Sequence, residues 1–314
     1  MRFTSFLLIA SAMAECAASA APRRPEQLGR TALATEPAHA VKSALSDGTP
    51  WQAELYTGHI YTKAESDGRP QWDLAHRCGG SYIKEHWVLT AAHCFYKKRD
   101  PNDPTAEETA IDWLGNKWRV RLAARDLASG EGVSFPIDHV EIYPGFIHSS
   151  FTNDIALVHF VADAQSRAEA NRPNAGKHVT KIRINGSSAR DAPVALGDAV
   201  TVSGWGKTED NDKAHTPADL QWVTIHSVDC DWGGVYKGRT TGNNLCAFGK
   251  GADACQGDSG GPLVRAGGPP ILVGIVSWGI ACGVNAGVYT RIDHDHYYDW
   301  IDKTVGGLPV DKAN

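Results

Sequence analysis

From residue 51 to residue 290 the apolar residues come in short alternating or β-branched runs, each cut off by Gly, Asp or Pro. Runs of that length and punctuation suit strands joined by turns. One set occupies 51–89, 118–122, 135–140 and 155–160; a second occupies 199–203, 220–225, 263–264, 271–278 and 287–290. An all-β fold of two β-barrels is the packing these sets predict, with a linker near 162–177. The stretch 164–175 is polar and Ala-rich, with weak helix signals. By contrast, 294–304 is predicted as a helix whose Tyr297, Tyr298 and Ile301 can face the barrel.

Composition narrows the function classes. A chain of 314 residues and 33.8 kDa can bury a substantial core, as one large domain or two small ones. Its formal charge of −5 and pI near 6.2 provide no basic field for nucleic acid or an anionic membrane. Met1-Arg2, the apolar run from Phe3 to Ala10 and the small-residue site Ala18-Ser19-Ala20 read as a secretory signal peptide over 1–20. Its apolar part is too short to span a membrane. Residues 21–40 mix Ala, Pro, Arg and Glu without period and read as a propeptide or flexible leader, and 305–314 as a C-terminal tail. Losing Cys16 with the signal leaves six of the seven cysteines, enough for three disulfides in an oxidising compartment, secreted or periplasmic. Arithmetic alone allows about fifteen pairings. The stretch 97–114, rich in Lys, Asp, Pro, Glu and Thr, predicts an enlarged surface loop, and Asn185-Gly186-Ser187 matches a glycosylation acceptor.

The chemistry concentrates in 251–263, where Ser259 lies in a glycine-dense turn beside Asp258, with Cys255 upstream. Four glycines between Gly251 and Gly261 let the backbone bring N–H groups close to a reacting carbonyl, although a tight surface turn uses the same residues. A serine hydroxyl is a poor nucleophile unless a base takes its proton, and histidine suits that work. His93 closes the apolar run Val88-Leu89-Thr90-Ala91-Ala92, and Asp154 opens the run Ile155-Ala156-Leu157-Val158. The chain has 13 histidines, so it is the setting of His93 that singles it out. Thiol or metal chemistry at the neighbouring cysteines is disfavoured, because no CxxC pair is present.

The order His93, Asp154, Ser259 is that of the chymotrypsin solution to the triad, not that of nucleophile-elbow hydrolases or subtilisin. Further words occur in a fixed order: Pro50-Trp51-Gln52, Cys78-Gly79-Gly80-Ser81, Ala91-Ala92-His93-Cys94, Asn153-Asp154-Ile155-Ala156-Leu157 and Gly204-Trp205-Gly206-Lys207-Thr208. The series continues through the serine block to Val276-Ser277-Trp278-Gly279, Gly287-Val288-Tyr289-Thr290 and Tyr298-Asp299-Trp300-Ile301. From residue 48 to residue 301 the chain thereby resembles a trypsin-like member of the chymotrypsin-type serine proteases.

That resemblance implies two six-stranded antiparallel barrels, about 41–165 and 175–290, with the active site between them and a C-terminal helix, inside a protease domain over 41–304. It implies Ser259 as nucleophile, His93 as base and Asp154 as the carboxylate that orients the base, with the N–H groups of Gly257 and Ser259 as the oxyanion hole. Asp253, six residues before Ser259, takes the place at the base of the primary pocket, with Gly279 and Gly287 as walls. Arg or Lys on the acyl side of the scissile bond is the implied preference. Ser277 and Trp278 offer an edge to the substrate backbone. The implied disulfides are Cys78 with Cys94, Cys230 with Cys246, and Cys255 with Cys282.

Asp258 takes the place of the acid that pairs with an amino terminus freed by zymogen cleavage; bonds to nearby turn N–H groups are the alternative. The Ile-Val-Gly-Gly start that such a terminus requires is missing. Counting back from Pro50 lands on Ala38-His39-Ala40-Val41, with no basic residue just before it. The activation route is therefore open among a terminus near Val41, an ordering partner and an inactive full-length form. No cofactor or metal is called for, and 66–73 lacks clear calcium-loop spacing. The expected function is a secreted serine endopeptidase that cleaves after Arg or Lys through an acyl-enzyme. Its expected partners are peptide or protein substrates and protein protease inhibitors, with a monomer as default. A binding or adhesive protein that keeps the scaffold is the alternative; a serine esterase is disfavoured by the triad order and by Asp253.

Overall fold

In the computed structural model the chain is described over residues 42–43, 49–98, 108–173, 175, 179–186, 192–208, 215–293 and 295–308. The short runs become eleven of the twelve barrel strands. The first six are β1 (Gln52–Tyr56), β2 (His76–Lys84), β3 (Trp87–Thr90), β4 (Arg119–Leu122), β5 (Val133–Ile142) and β6 (Ala156–Phe160). They close as an antiparallel barrel in the order β1-β2-β3-β6-β5-β4. The second six are β7 (Ala199–Gly204), β8 (Gln221–Val228), β9 (Asn244–Phe248), β10 (Pro262–Arg265), β11 (Ile271–Trp278) and β12 (Gly287–Arg291). Their ring β8-β7-β10-β11-β12-β9 closes where His226 of β8 faces Phe248 of β9 and Val228 faces Cys246. Closure leaves each barrel without free strand edges. Two short pieces add to the second ring: Lys42–Ser43 pairs antiparallel with β8, and Arg183–Ile184 lies parallel to β11.

Alternation decides which side chains fill the barrels. In β4, Val120 and Leu122 are buried while Arg119 and Arg121 lie on the other face. They join Leu55, Val88, Leu89 and Leu157 in one core, and Tyr297 and Ile301 pack into that core from the helix Asp295–Val305. The second core gathers Val200, Val202, Leu245, Leu263, Val273 and Tyr289. The described residues form one compact unit.

Several local expectations change. Strand β9 has no counterpart among the expected runs, because Asn-Leu-Cys-Ala-Phe is neither β-branched nor alternating; its Leu245, Cys246 and Ala247 are all buried by the barrel that closes around them. Between β1 and β2 the chain makes two short helices, α1 (Lys63–Ser66) and α2 (Gln71–Ala75), where strands and turns were expected. A reciprocal Thr62–Glu65 capping box starts α1. The first part of 164–175 is helical, α3 (Ala164–Ala170), because Asp163 caps it through Ser166 and is itself held by Arg119 at 2.9 Å. The stretch 97–114 opens as a hairpin of Tyr96–Lys98 with Glu108–Ala110, and 99–107 lie outside the described residues. Outside them too lie the expected signal peptide, the leader, the segment 38–41, His294, and 309–314 of the tail. Asn185 is buried, its amide donating to Ala192 O at 3.4 Å, which removes it as an accessible glycosylation site in the folded chain.

Asp73 on α2 ties this insertion to the second barrel's loops. Its buried carboxylate accepts two hydrogen bonds from Arg69 at 2.8 Å, one from the His215 ring at 2.9 Å and one from Thr216 N at 3.0 Å. Burial pushes this carboxyl up, but the Arg69, His215 and Thr216 bonds outweigh that and bring it down to about 2. A folded value below the ordinary 3.8 contributes stability above that pH, lost as pH falls through about 2. Asp73→Ala is expected to lower the unfolding free energy by roughly 3 kcal/mol at pH 7. Urea titration at pH 7 and pH 3 checks both the size and the shrinking difference.

Candidate active site

Strand β3 runs out at Thr90, and buried Ala91 and Ala92 lead into a single 3-10 turn, Ala92–Phe95, that carries His93. Asp154 lies fully buried just before β6, after Asn153 in a left-handed conformation (φ 55°). Its Oδ1 accepts from His93 N at 2.8 Å, and its Oδ2 accepts from His93 Nδ1 at 2.7 Å and from Ser277 Oγ at 2.5 Å. The Asp154 carbonyl accepts from Thr290 Oγ1 at 2.7 Å, so both barrels grip this residue. Burial pushes the Asp154 carboxyl up, but the attraction of His93 and the bonds from His93 and Ser277 prevail and hold it below the ordinary carboxylate range. A carboxylate only accepts, so Nδ1 carries the ring proton and Nε2 is left as the acceptor. Phe151 stacks edge-on against this ring at 5.3 Å.

The serine loop is held by its backbone. Gln256 O accepts from Lys207 N at 2.8 Å, and Asp258 N donates to Cys255 O at 2.9 Å. Carbonyl and N–H point opposite ways across a trans peptide, so the Lys207 bond turns the Gly257 N–H away from Lys207. Gly257 has φ 103°, and a Cβ there would lie 3.1 Å from the Gly206 Cα. The Asp258 carboxylate accepts from Gly206 N at 2.7 Å and Cys255 N at 2.9 Å. Burial nevertheless raises its pKa. Ser259 O accepts from Gly79 N at 2.8 Å and lies 3.9 Å from Cys94 Sγ, which sets the serine against the residue that follows His93. Disulfides join Cys78 to Cys94, Cys230 to Cys246, and Cys255 to Cys282. The ligand atoms of Cys78, His93 and Cys94 lie within 4.8 Å of one another, but both sulfurs are spent in a disulfide and offer no thiolate.

Six residues before Ser259, Asp253 Oδ1 accepts from Ala254 N at 2.7 Å and from Tyr289 OH at 3.3 Å. A Cβ on Gly287 would approach this oxygen to 2.6 Å, whereas one on Gly279 would meet nothing closer than 3.9 Å. Gly287 is thus required by contact with Asp253, whereas a Cβ at Gly279 would make only ordinary van der Waals contacts. Trp278 is half-buried, edge-on to Tyr236 at 5.0 Å, with the Arg239 guanidinium 5.2 Å above its ring.

The family model described as Trypsin matches residues 41–301. This chain belongs to the trypsin family of serine proteases. The trypsin of Squalus acanthias is 31% identical over 82% of this chain and 92% of its own length. Human mannan-binding lectin serine protease 1 is 32% identical over 82% of this chain but 34% of its own length. Human transmembrane protease serine 11B is 34% identical over 84% of this chain and 55% of its own. The chain thus spans a third to about half of several longer relatives. Among solved structures, mouse neuropsin, a serine protease expressed in the limbic system of the brain, aligns with a TM-score of 0.61 at 28% identity, covering 85% of this chain and 99% of its own.

Within this trypsin-family scaffold the structure adds roles that the sequence motifs did not assign. Ser277, expected only as a backbone edge, also donates its hydroxyl to Asp154. Thr290 and Tyr289 reach Asp154 and Asp253 from opposite faces of β12, a signal visible only as adjacent positions on one strand. His76, in an unremarked position of β2, faces the serine loop, and Glu54 of β1 lies behind its ring.

Proposed function

We propose that this trypsin-family chain is an exported serine endopeptidase that cleaves peptide bonds after Arg or Lys. The observation that carries the reading is the His93–Asp154 hydrogen bond of 2.7 Å, buried between barrels beside the loop of Ser259. With Nδ1 committed to Asp154, Nε2 takes the Ser259 proton as Oγ attacks the substrate carbonyl. The N–H groups of Gly257 and Ser259 stabilise the oxygen that gains charge. The imidazolium then hands its proton to the leaving amine, and water repeats the cycle on the acyl-enzyme. The half-buried Asp253 carboxylate, with Gly287 packed against it, supports a cationic acyl-side residue. Three disulfides support an oxidising compartment, and the signal over 1–20 supports export. No helix among the described residues is long and apolar enough to cross a membrane.

The test is hydrolysis of an Arg p-nitroanilide peptide, beside its uncharged citrulline isostere, before and after limited proteolysis. Turnover of the Arg substrate alone, with a mature terminus near residues 38–41, supports a cationic pocket and zymogen-type control. Absence of turnover in both forms leaves a scaffold that binds without cutting.

Burial pushes the Asp253 carboxyl up to about 7. Below that pH the group is neutral and an amidine loses its counter-charge. Benzamidine affinity is therefore expected to rise with pH up to about 7 and then level off, with a slope approaching about tenfold per unit on the acid side. A folded value above the ordinary 3.8 also means that Asp253 costs the unliganded protein stability as pH rises through about 7. Calorimetric titration from pH 5 to 8 measures this, and a pH-independent affinity would exclude the role. Gly287→Ala is expected to displace the carboxylate and weaken benzamidine by roughly tenfold, since overpacking costs about 1–3 kcal/mol.

A further inference from the structure

Glu54, His76 and Arg121 form a polar row, buried at Glu54 and His76, that the chemistry above leaves unused. Glu54 sits in the middle of β1, facing Arg121 of β4 across the ladder, with its side chain 1% exposed. Its Oε2 lies 3.4 Å from Arg121 Nε, and its Oε1 lies 3.2 Å from Nδ1 of His76, whose side chain is 2% exposed. The far nitrogen of that ring, Nε2, lies 2.9 Å from Gly257 O. A carbonyl oxygen can only accept, so Nε2 carries a proton and donates it. Whichever of Glu54 and Nδ1 holds the proton between them, the row ends in a donor aimed at the serine loop.

That loop needs such a donor. Glycine at φ 103° has little intrinsic preference to hold its peptides in place, so their directions are set by what grips them. Lys207 N holds the peptide before Gly257, while Cys255 O holds only the N–H end of the peptide after it. We propose that His76, aligned by Glu54, is a positioning residue for the oxyanion site: its Nε2–H pins the Gly257 carbonyl, so that with Lys207 N on the Gln256 carbonyl both peptides flanking the Gly257 Cα are held and the Gly257 N–H stays aimed into the cleft. The inference rests on Gly257 N–H being an oxyanion donor. His76 touches no substrate and acts through the loop.

Two variants separate this role from simple filling of buried space. The amide nitrogen of Gln reaches the place of ring Nε2, whereas that of Asn reaches only the place of Nδ1. One preorganised oxyanion donor is worth about 10²–10³-fold in kcat, and a misaimed one forfeits a fraction of that. His76→Asn is expected to lose roughly 30-fold in kcat on the Arg anilide with KM changed less than about threefold, and His76→Gln to regain most of that loss. A peptide boronate, whose adduct with Ser259 is tetrahedral, is expected to weaken in step with kcat, while benzamidine binds both variants as it binds the wild type. Equal rates in Asn, Gln and wild type overturn the proposal, and so does Asn outperforming Gln. If neither variant binds benzamidine, Glu54→Asp, which withdraws the carboxylate from Nδ1, is measured in the same way; an unchanged kcat there overturns it. A wild type that turns over no Arg anilide overturns the functional reading itself, an outcome distinct from an active wild type with an equally active His76→Asn.

Discussion

Asp154→Asn is expected to lower kcat on an Arg amide by about 10⁴-fold, the general size for a triad of this kind. The hydrogen-bond pattern gives the reason. Oδ1 of Asp154 accepts from a backbone N–H, that of His93, which has no other role than donor. An asparagine must therefore place its single oxygen there and turn its NH2 toward the position of Oδ2. That position faces Ser277 Oγ and His93 Nδ1. The serine hydroxyl can rotate to accept, but Nδ1 can accept only by giving up its proton, which moves to Nε2. The nitrogen that must take the Ser259 proton is then already occupied. KM and benzamidine affinity should stay near the wild-type values, because neither depends on the tautomer. A steady-state comparison with the benzamidine control decides the point: a loss below tenfold would mean that the buried carboxylate does not govern the ring.

Asp253→Ser is expected to lower kcat/KM for Arg and Lys substrates by about 10³-fold, roughly 4 kcal/mol, the range for removing one member of a desolvated charge pair. Serine leaves the Ala254 N–H and the Tyr289 hydroxyl without their carboxylate oxygen, and it leaves an entering guanidinium without a counter-charge. Substrates with uncharged acyl-side residues should change far less, since the His93–Asp154 pair is untouched. Comparing Arg with its citrulline isostere in both proteins isolates the charge. An equal loss for the two would assign Asp253 to the architecture of the loop and not to recognition.

Much of the fold was legible because strand signals are local. The runs 155–160 and 271–278 lie within a residue of Ala156–Phe160 and Ile271–Trp278, where alternation and β-branching mark each strand without reference to its partner. Strand β9 was illegible for the opposite reason. Nothing in Asn244–Phe248 itself favours a strand, and pairing with β8 and β12 makes it one. The same holds for α3, whose weak helix signal is rescued by Asp163, a cap that is itself held by Arg119 from the barrel, 44 residues away. The disulfide pairs came from resemblance, not from spacing, and the structure joins the same pairs.

Residue type and order are enough to name the reactive groups the chain carries: a serine in a glycine-dense turn, a histidine and an aspartate each at the edge of an apolar run, and a second aspartate six residues before the serine. Tertiary structure alone decided which atoms of those groups face one another. His93 and Asp154 meet at 2.7 Å across 61 residues, and His76 reaches Gly257 O across 181. Hydrogen bonds are directional over tenths of an ångström, whereas residue type and spacing constrain only what lies within a turn or two of chain. Proton positions in the cleft, and the aim of the Gly257 N–H, therefore follow from barrel closure and the packing of one barrel on the other.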